Sequence, residues 1–118
     1  MNIALLLLIA LIILYFFPLT WIRGYSMLPT LRHGDIIFTR RIFGKKRCKV
    51  GRVYTFHPPY DKSRRVIKRL TGVIDGKYFF EGDNIEVSRD SHEYGLVEPE
   101  YVISEAKIIL YRRKIRDA

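Results

Sequence analysis

Residues 65–80 read Arg65-Val-Ile-Lys-Arg-Leu-Thr-Gly-Val-Ile-Asp-Gly-Lys-Tyr-Phe-Phe80. Arg65 to Leu70 alternates, with Val66, Lys68 and Leu70 on one side and Arg65, Ile67 and Arg69 on the other. That is the period of a strand. Val73-Ile74, then Asp75-Gly76, then Tyr78-Phe79-Phe80 is the strongest local signal in the chain. Asp-Gly between two apolar runs predicts a two-residue type I′ hairpin.

Working outward, the same texture continues. Asp35-Ile-Ile-Phe-Thr-Arg-Arg-Ile42 follows the turn His33-Gly34, Val50 to His57 stops at Pro58-Pro59, and Ser104 to Arg113 carries Ile108, Ile109, Leu110 and Tyr111. Beyond Arg23 no helical periodicity is sustained. Five or six short strands with polar turns predict a mostly β domain, a small antiparallel sheet or barrel. Phe43 to Lys49 reads as a basic loop and Gly82-Asp83-Asn84 as a polar turn. There are no internal repeats.

The first 22 residues are different. None of the charged residues precedes Arg23, and between Ile3 and Ile22 only Pro18 and Thr20 are not apolar. A helix over those positions would be about 30 Å long, the thickness of a bilayer's hydrocarbon. Pro18 has no amide hydrogen and is expected to kink or end it near Phe17. Tyr15, Phe16, Phe17 and Trp21 suit a membrane interface. No basic stretch precedes the run and no small-residue cleavage site comes after it, which favours a retained anchor over a cleaved leader. The expected organisation is a transmembrane anchor over residues 1–22 and a β domain over 23–118. Charge asymmetry alone does not set the side on which that domain lies.

With 118 residues the chain holds one small domain, and 14% aromatic residues exclude a disordered one. A single cysteine, Cys48, excludes a disulfide framework. His33, His57 and His92 have no ligand spacing, so neither a metal nor another cofactor is expected. The net charge of +9 favours an anionic partner. An anchor with no nucleic-acid motif points to anionic membrane lipid and away from nucleic acid.

Chemistry concentrates in Gly24-Tyr-Ser-Met-Leu-Pro-Thr-Leu31, Val66-Ile-Lys-Arg69 and Gly82-Asp-Asn-Ile-Glu-Val-Ser-Arg-Asp-Ser91. Lys68 shares its strand face with Val66 and Leu70, and its amine either snorkels to solvent or is desolvated. A desolvated lysine has a depressed pKa. As a neutral amine it can take the proton of a neighbouring hydroxyl and activate it for acyl attack.

Ser26-Met-Leu-Pro-Thr-Leu31, Gly34-Asp35, Ile67-Lys68-Arg69 and Gly82-Asp-Asn…Ser88-Arg-Asp-Ser91 resemble, in order, the motifs of type I signal peptidases. These are membrane-anchored serine endopeptidases with a Ser/Lys dyad, and the likeness covers most of residues 22–96. It implies Ser26 as nucleophile and Lys68 as general base. By the same resemblance Ser88 orients the Lys68 amine, Asp90 pairs with Arg69, and the Ser26 amide is one oxyanion donor. The family's substrates are signal-peptide-bearing pre-proteins, bound as an added β-strand and cut after an Ala-x-Ala-like tripeptide. Ile22, Met27, Leu31 and Ile67 are the matching pocket positions. The family's catalytic domain lies outside the cytoplasmic membrane, which implies a single-pass protein with that orientation.

The chain departs from the pattern at Gly24, where some members carry a serine that completes the oxyanion hole. Lys68-Arg69 runs into Leu-Thr-Gly-Val-Ile-Asp-Gly, His92 replaces an arginine, and the large second β domain of bigger members is absent. What remains is a minimal catalytic core. The other functions weighed are a peptidase dedicated to maturing one exported substrate and a non-catalytic membrane assembly factor.

Overall fold

The computed structural model describes residues 2–43 and 48–114. The chain runs through helix α1 (Ile3–Phe16), strands β1 (Leu19–Trp21), β2 (Ile36–Arg41), β3 (Val53–Phe56), β4 (Val66–Ile74) and β5 (Lys77–Glu81), the short helix α2 (Ser91–Tyr94), a 3-10 turn (Pro99–Tyr101) and β6 (Val102–Tyr111). The six strands form one sheet in the order β1-β2-β6-β3-β4-β5. Every neighbouring pair is antiparallel. The expected small antiparallel β domain is therefore present, as an open sheet with β1 and β5 at its edges.

The Asp75-Gly76 hairpin forms as read. Ile74 faces Lys77, and both turn residues have positive φ, +51° at Asp75 and +75° at Gly76. Aspartate and glycine adopt that conformation at low cost.

Period-2 alternation on β3 divides the core between the two faces of the sheet. Tyr54 and Phe56 point into a cluster with Leu70, Tyr78, Phe80, Val97 and Val102. Phe56 and Phe80 stack there with centroids 4.1 Å apart. Val53 points the other way, into a cluster with Ile22, Met27, Leu31 and Ile37. The second cluster matters for the site, because its members Ile22, Met27 and Leu31 flank Ser26 and fasten that loop to the sheet.

The apolar run of residues 3–22 does not form the single span its composition predicts. Pro18 interrupts the helical ladder, and α1 stops at Phe16, only 14 residues long. At 1.5 Å per residue it extends about 21 Å. No helix among the described residues is long and apolar enough to cross a membrane. Leu19–Trp21 instead pairs with Phe38, Ile37 and Ile36 as an edge strand. Pro18 is buried at the join, where its carbonyl accepts from the Thr39 amide and hydroxyl, and Phe17 stacks on Phe38 at 5.2 Å. Every residue of α1 remains exposed, including twelve large apolar or aromatic side chains from Ile3 to Phe16.

The expected basic loop at Phe43 to Lys49 falls largely on residues outside those described. Cys48, at its end, is buried against Tyr54 and Tyr78. Burial pushes its thiol pKa up, which makes it an inert core side chain.

Candidate active site

Lys68 sits on the third position of β4, opposite Tyr54 of β3. Strand alternation turns its side chain toward the face of Leu70, and only 7% of the residue is exposed. Ser26 belongs to the loop between β1 and β2. Lys68 Nζ donates to Ser26 Oγ at 2.7 Å, across 42 residues of sequence. Desolvation holds the Lys68 pKa below the ordinary lysine value, with the charge of Arg64 acting in the same direction and that of Asp90 opposing it. Of the two environments open to this lysine, snorkelled or desolvated, the fold selects the second.

The turn after β5 holds the serine loop from the other side. The Asn84 amide donates to the Ser26 carbonyl at 2.8 Å, and Asn84 Nδ2 donates to the Tyr25 carbonyl at 3.0 Å. Asp83 accepts from the Thr30 hydroxyl and takes two bonds of 2.8 Å from the Arg69 guanidinium. Those bonds from Arg69 and Thr30 outweigh desolvation and hold the Asp83 carboxyl below the usual aspartate range. Farther along the loop, buried Asp35 accepts from Arg112 Nη2 at 2.6 Å, and Arg112 also reaches the Thr30 carbonyl. Asn84, Asp83, Thr30 and Arg112 thus hold the Ser26 loop through contacts that the motifs alone do not specify.

Two expected contacts are replaced. Arg69 pairs with Asp83 and not with Asp90, because Lys68 and Arg69 are adjacent on a strand and face opposite ways. Asp90 lies on the Lys68 side, where it accepts from the Gly82 and His92 amides and caps α2. The Ser88 hydroxyl accepts from the Gly82 amide at 3.1 Å and makes no hydrogen bond to Lys68. Gly82 is tightly enclosed. A Cβ there would overlap Ser88 Oγ and come within 2.6 Å of the Ser26 carbonyl oxygen.

A groove of about 460 Å³ opens over Ser26 and Lys68, walled by β1 and by residues 64–68. Both walls offer unpaired strand edges. β1 pairs only with β2, and β5 pairs with β4 only from Arg69 onward, leaving Val66–Lys68 with β3 alone. Of the four expected pocket residues only Ile67 reaches this groove. Ile22 and Met27 are packed beneath it, 2% and 1% exposed, while Leu31 borders a separate cavity near Arg52 and Glu105. These three loop residues are drawn into the core because each buried side chain of their size contributes about 1.5–3 kcal/mol.

Gly24 has φ of +84°, a conformation that favours glycine, and its amide donates to His33 Nδ1. A serine is therefore disfavoured at this position, and no side-chain donor is supplied there.

This arrangement has relatives. A family model described as signal peptidase, peptidase S26, matches residues 1–74 and 71–111. The chain belongs to that family. It is 31% identical over 104 residues to mitochondrial inner membrane protease subunit 1 of Schizosaccharomyces pombe, covering 70% of this chain and 66% of the relative. It is 31% identical over 122 residues to mitochondrial ATP-independent inner membrane protease subunit 1a of Arabidopsis thaliana, covering 81% and 70%. A probable signal peptidase I-1 of Synechocystis is 27% identical over 131 residues, covering 73% and 67%. This S26 chain thus spans about two thirds of the length of these relatives.

Proposed function

We propose that this chain is a membrane-associated serine endopeptidase that cleaves signal peptides from exported pre-proteins, with Ser26 as nucleophile and Lys68 as general base. The observation that carries the reading is the 2.7 Å contact between Lys68 Nζ and Ser26 Oγ at a desolvated amine. A neutral Lys68 accepts the Ser26 hydroxyl proton as Oγ attacks the scissile carbonyl. The resulting ammonium then protonates the departing amine as the C–N bond breaks, leaving an acyl-serine that water hydrolyses. The Ser26 amide is the backbone oxyanion donor in this reading.

The two open strand edges accommodate an extended substrate segment between them. Association with the membrane rests on α1, whose side chains are apolar and exposed all round. Such a helix requires a non-aqueous environment. The proposed location is a cell membrane with the β domain on its extracytoplasmic side, where a cleavage site just beyond a substrate's apolar segment would emerge at the depth of Ser26.

Detergent-solubilised protein incubated with a pre-protein should yield a product whose N-terminus follows an Ala-x-Ala-like site. Ser26→Ala should abolish this while its circular dichroism matches wild type. Processing by Ser26→Ala at the wild-type rate would exclude the assignment.

A further inference from the structure

Three residues on the wall of the dyad groove are Arg23, Arg64 and Arg65. All are exposed. No carboxylate lines the groove, and none of the three forms an ion pair among the described residues. Arg64 is only loosely held, with its guanidinium 5.9 Å from the Tyr60 ring centroid and one nitrogen 3.5 Å from the Tyr60 hydroxyl. The nearby Asp61 carboxylate accepts from the amide and hydroxyl of Ser63 and interacts with Arg64 through its charge, without an ion-pair contact. Positive charge is thus in excess where a segment must lie to reach Ser26, three arginines on the groove wall against the one nearby carboxylate of Asp61.

We infer that this groove selects substrate segments carrying acidic side chains within a few residues of the scissile bond, with Arg23, Arg64 and Arg65 as the residues that read them. The inference rests on the peptidase reading for its choice of ligand. Guanidinium groups suit the task because their planar fork matches a carboxylate with two parallel hydrogen bonds. A lysine or arginine in the bound segment meets like charge on both walls. Lipid headgroups are the other anions within reach of an exposed arginine. The peptide is favoured because the same cavity holds the dyad and is framed by strand edges, which a headgroup does not use.

The test uses the full chain in neutral detergent, without lipid. Fluorescein-labelled peptides contain one apolar segment and one Ala-x-Ala, with Asp, Asn or Lys placed in turn at x and at each of the three following residues. Binding is measured on Ser26→Ala and cleavage on wild type. At the best position Asp should bind about fivefold tighter than Lys, the scale of a few exposed ion pairs. That gap should shrink as salt rises from about 50 mM to about 500 mM. Added to Ser26→Ala, the Arg64→Glu and Arg65→Glu changes should invert the order. The ratio between peptides within one folded protein is the readout, so a general loss of affinity does not mimic it.

Equal binding of Asp and Lys peptides at low salt at every position overturns the inference. So does discrimination that arises only when anionic phospholipid vesicles are added, which would assign these arginines to the membrane. If the Asp peptides bind preferentially but none is cleaved, selection by the groove stands and the proposed peptidase function falls.

Discussion

Lys68 carries a conflict between stability and chemistry that can be measured. Its folded pKa lies below the ordinary value of 10.5 because burial disfavours the ammonium. The folded state therefore binds fewer protons at this site than the unfolded chain. The resulting penalty is fully present below the folded pKa and vanishes as pH rises to 10.5. Lys68→Met should raise the urea midpoint at pH 7 and lose that advantage as pH increases, while being inactive throughout. Wild-type cleavage should rise with pH through the depressed lysine pKa. Lys68→Arg should be nearly as inactive as Lys68→Met, because guanidinium stays protonated. A fully active Lys68→Arg enzyme would exclude the general-base role. Gly82 poses a steric version of the question. Gly82→Ala forces its methyl group into Ser88 and the Ser26 carbonyl, so we expect a loss of about 1–3 kcal/mol in urea unfolding and a larger fall in kcat than in 1/KM. Unchanged kinetics would mean that the Ser26 loop absorbs the shift. The proximity of Ser26 and Lys68 was legible because alternation along the strand singles out Lys68 and the ordered motifs pair it with Ser26. The partner of Arg69 was not, since spacing alone does not say which of Asp83 and Asp90 shares its face.

At the scale of elements, the strands read by alternation all form, and the one missed, β1, lay hidden inside an apolar run. Composition cannot separate a short buried or edge strand from helix when no polar residue sets a period. Pro18 gave the only local sign of a break, and tertiary pairing with β2 made a strand of Leu19–Trp21 just beyond it. The division matters for the membrane association proposed above, which it would assign to α1. Leu8 lies mid-helix and is 54% exposed. Leu8→Lys should thus leave the urea midpoint of the β domain in detergent within about 0.5 kcal/mol of wild type, as for a surface change. Flotation with liposomes should fall sharply, because a lysine at depth costs about 2.5–3.5 kcal/mol on insertion scales. Loss of β-domain stability would show instead that α1 packs on the sheet, whereas flotation at the wild-type level would place membrane attachment elsewhere.

For the molecule as a whole, the sheet order brings the last strand of the described residues to the loop that carries Ser26. β6, last in sequence, lies between β2 and β3, and just beyond it Arg112 reaches back 77 residues to Asp35. No sequence pattern announces this pair, because it depends on strand order and not on local chemistry. The Arg112 guanidinium is the main reason the Asp35 carboxyl titrates below its ordinary value of 3.8, ahead of the opposing desolvation. A depressed aspartate pKa contributes stability that is present above the unfolded value and lost as pH falls through the folded one. Asp83, held by Arg69, acts with the same sign. The acid limb of wild-type unfolding should therefore lie below about pH 4 as far as these two groups govern it. Arg112→Gln removes the largest cause of the Asp35 shift and leaves desolvation to push that carboxyl upward. We expect its urea midpoint to fall at pH 7, and its acid limb to move to higher pH than that of wild type. Because Asp35 also accepts from the Arg32 amide within the serine loop, the same variant should lose kcat before it loses fold. Urea titrations at a series of pH values, with cleavage measured alongside, separate these effects. An acid limb unmoved by Arg112→Gln would mean that this long-range pair does not secure the loop that carries Ser26.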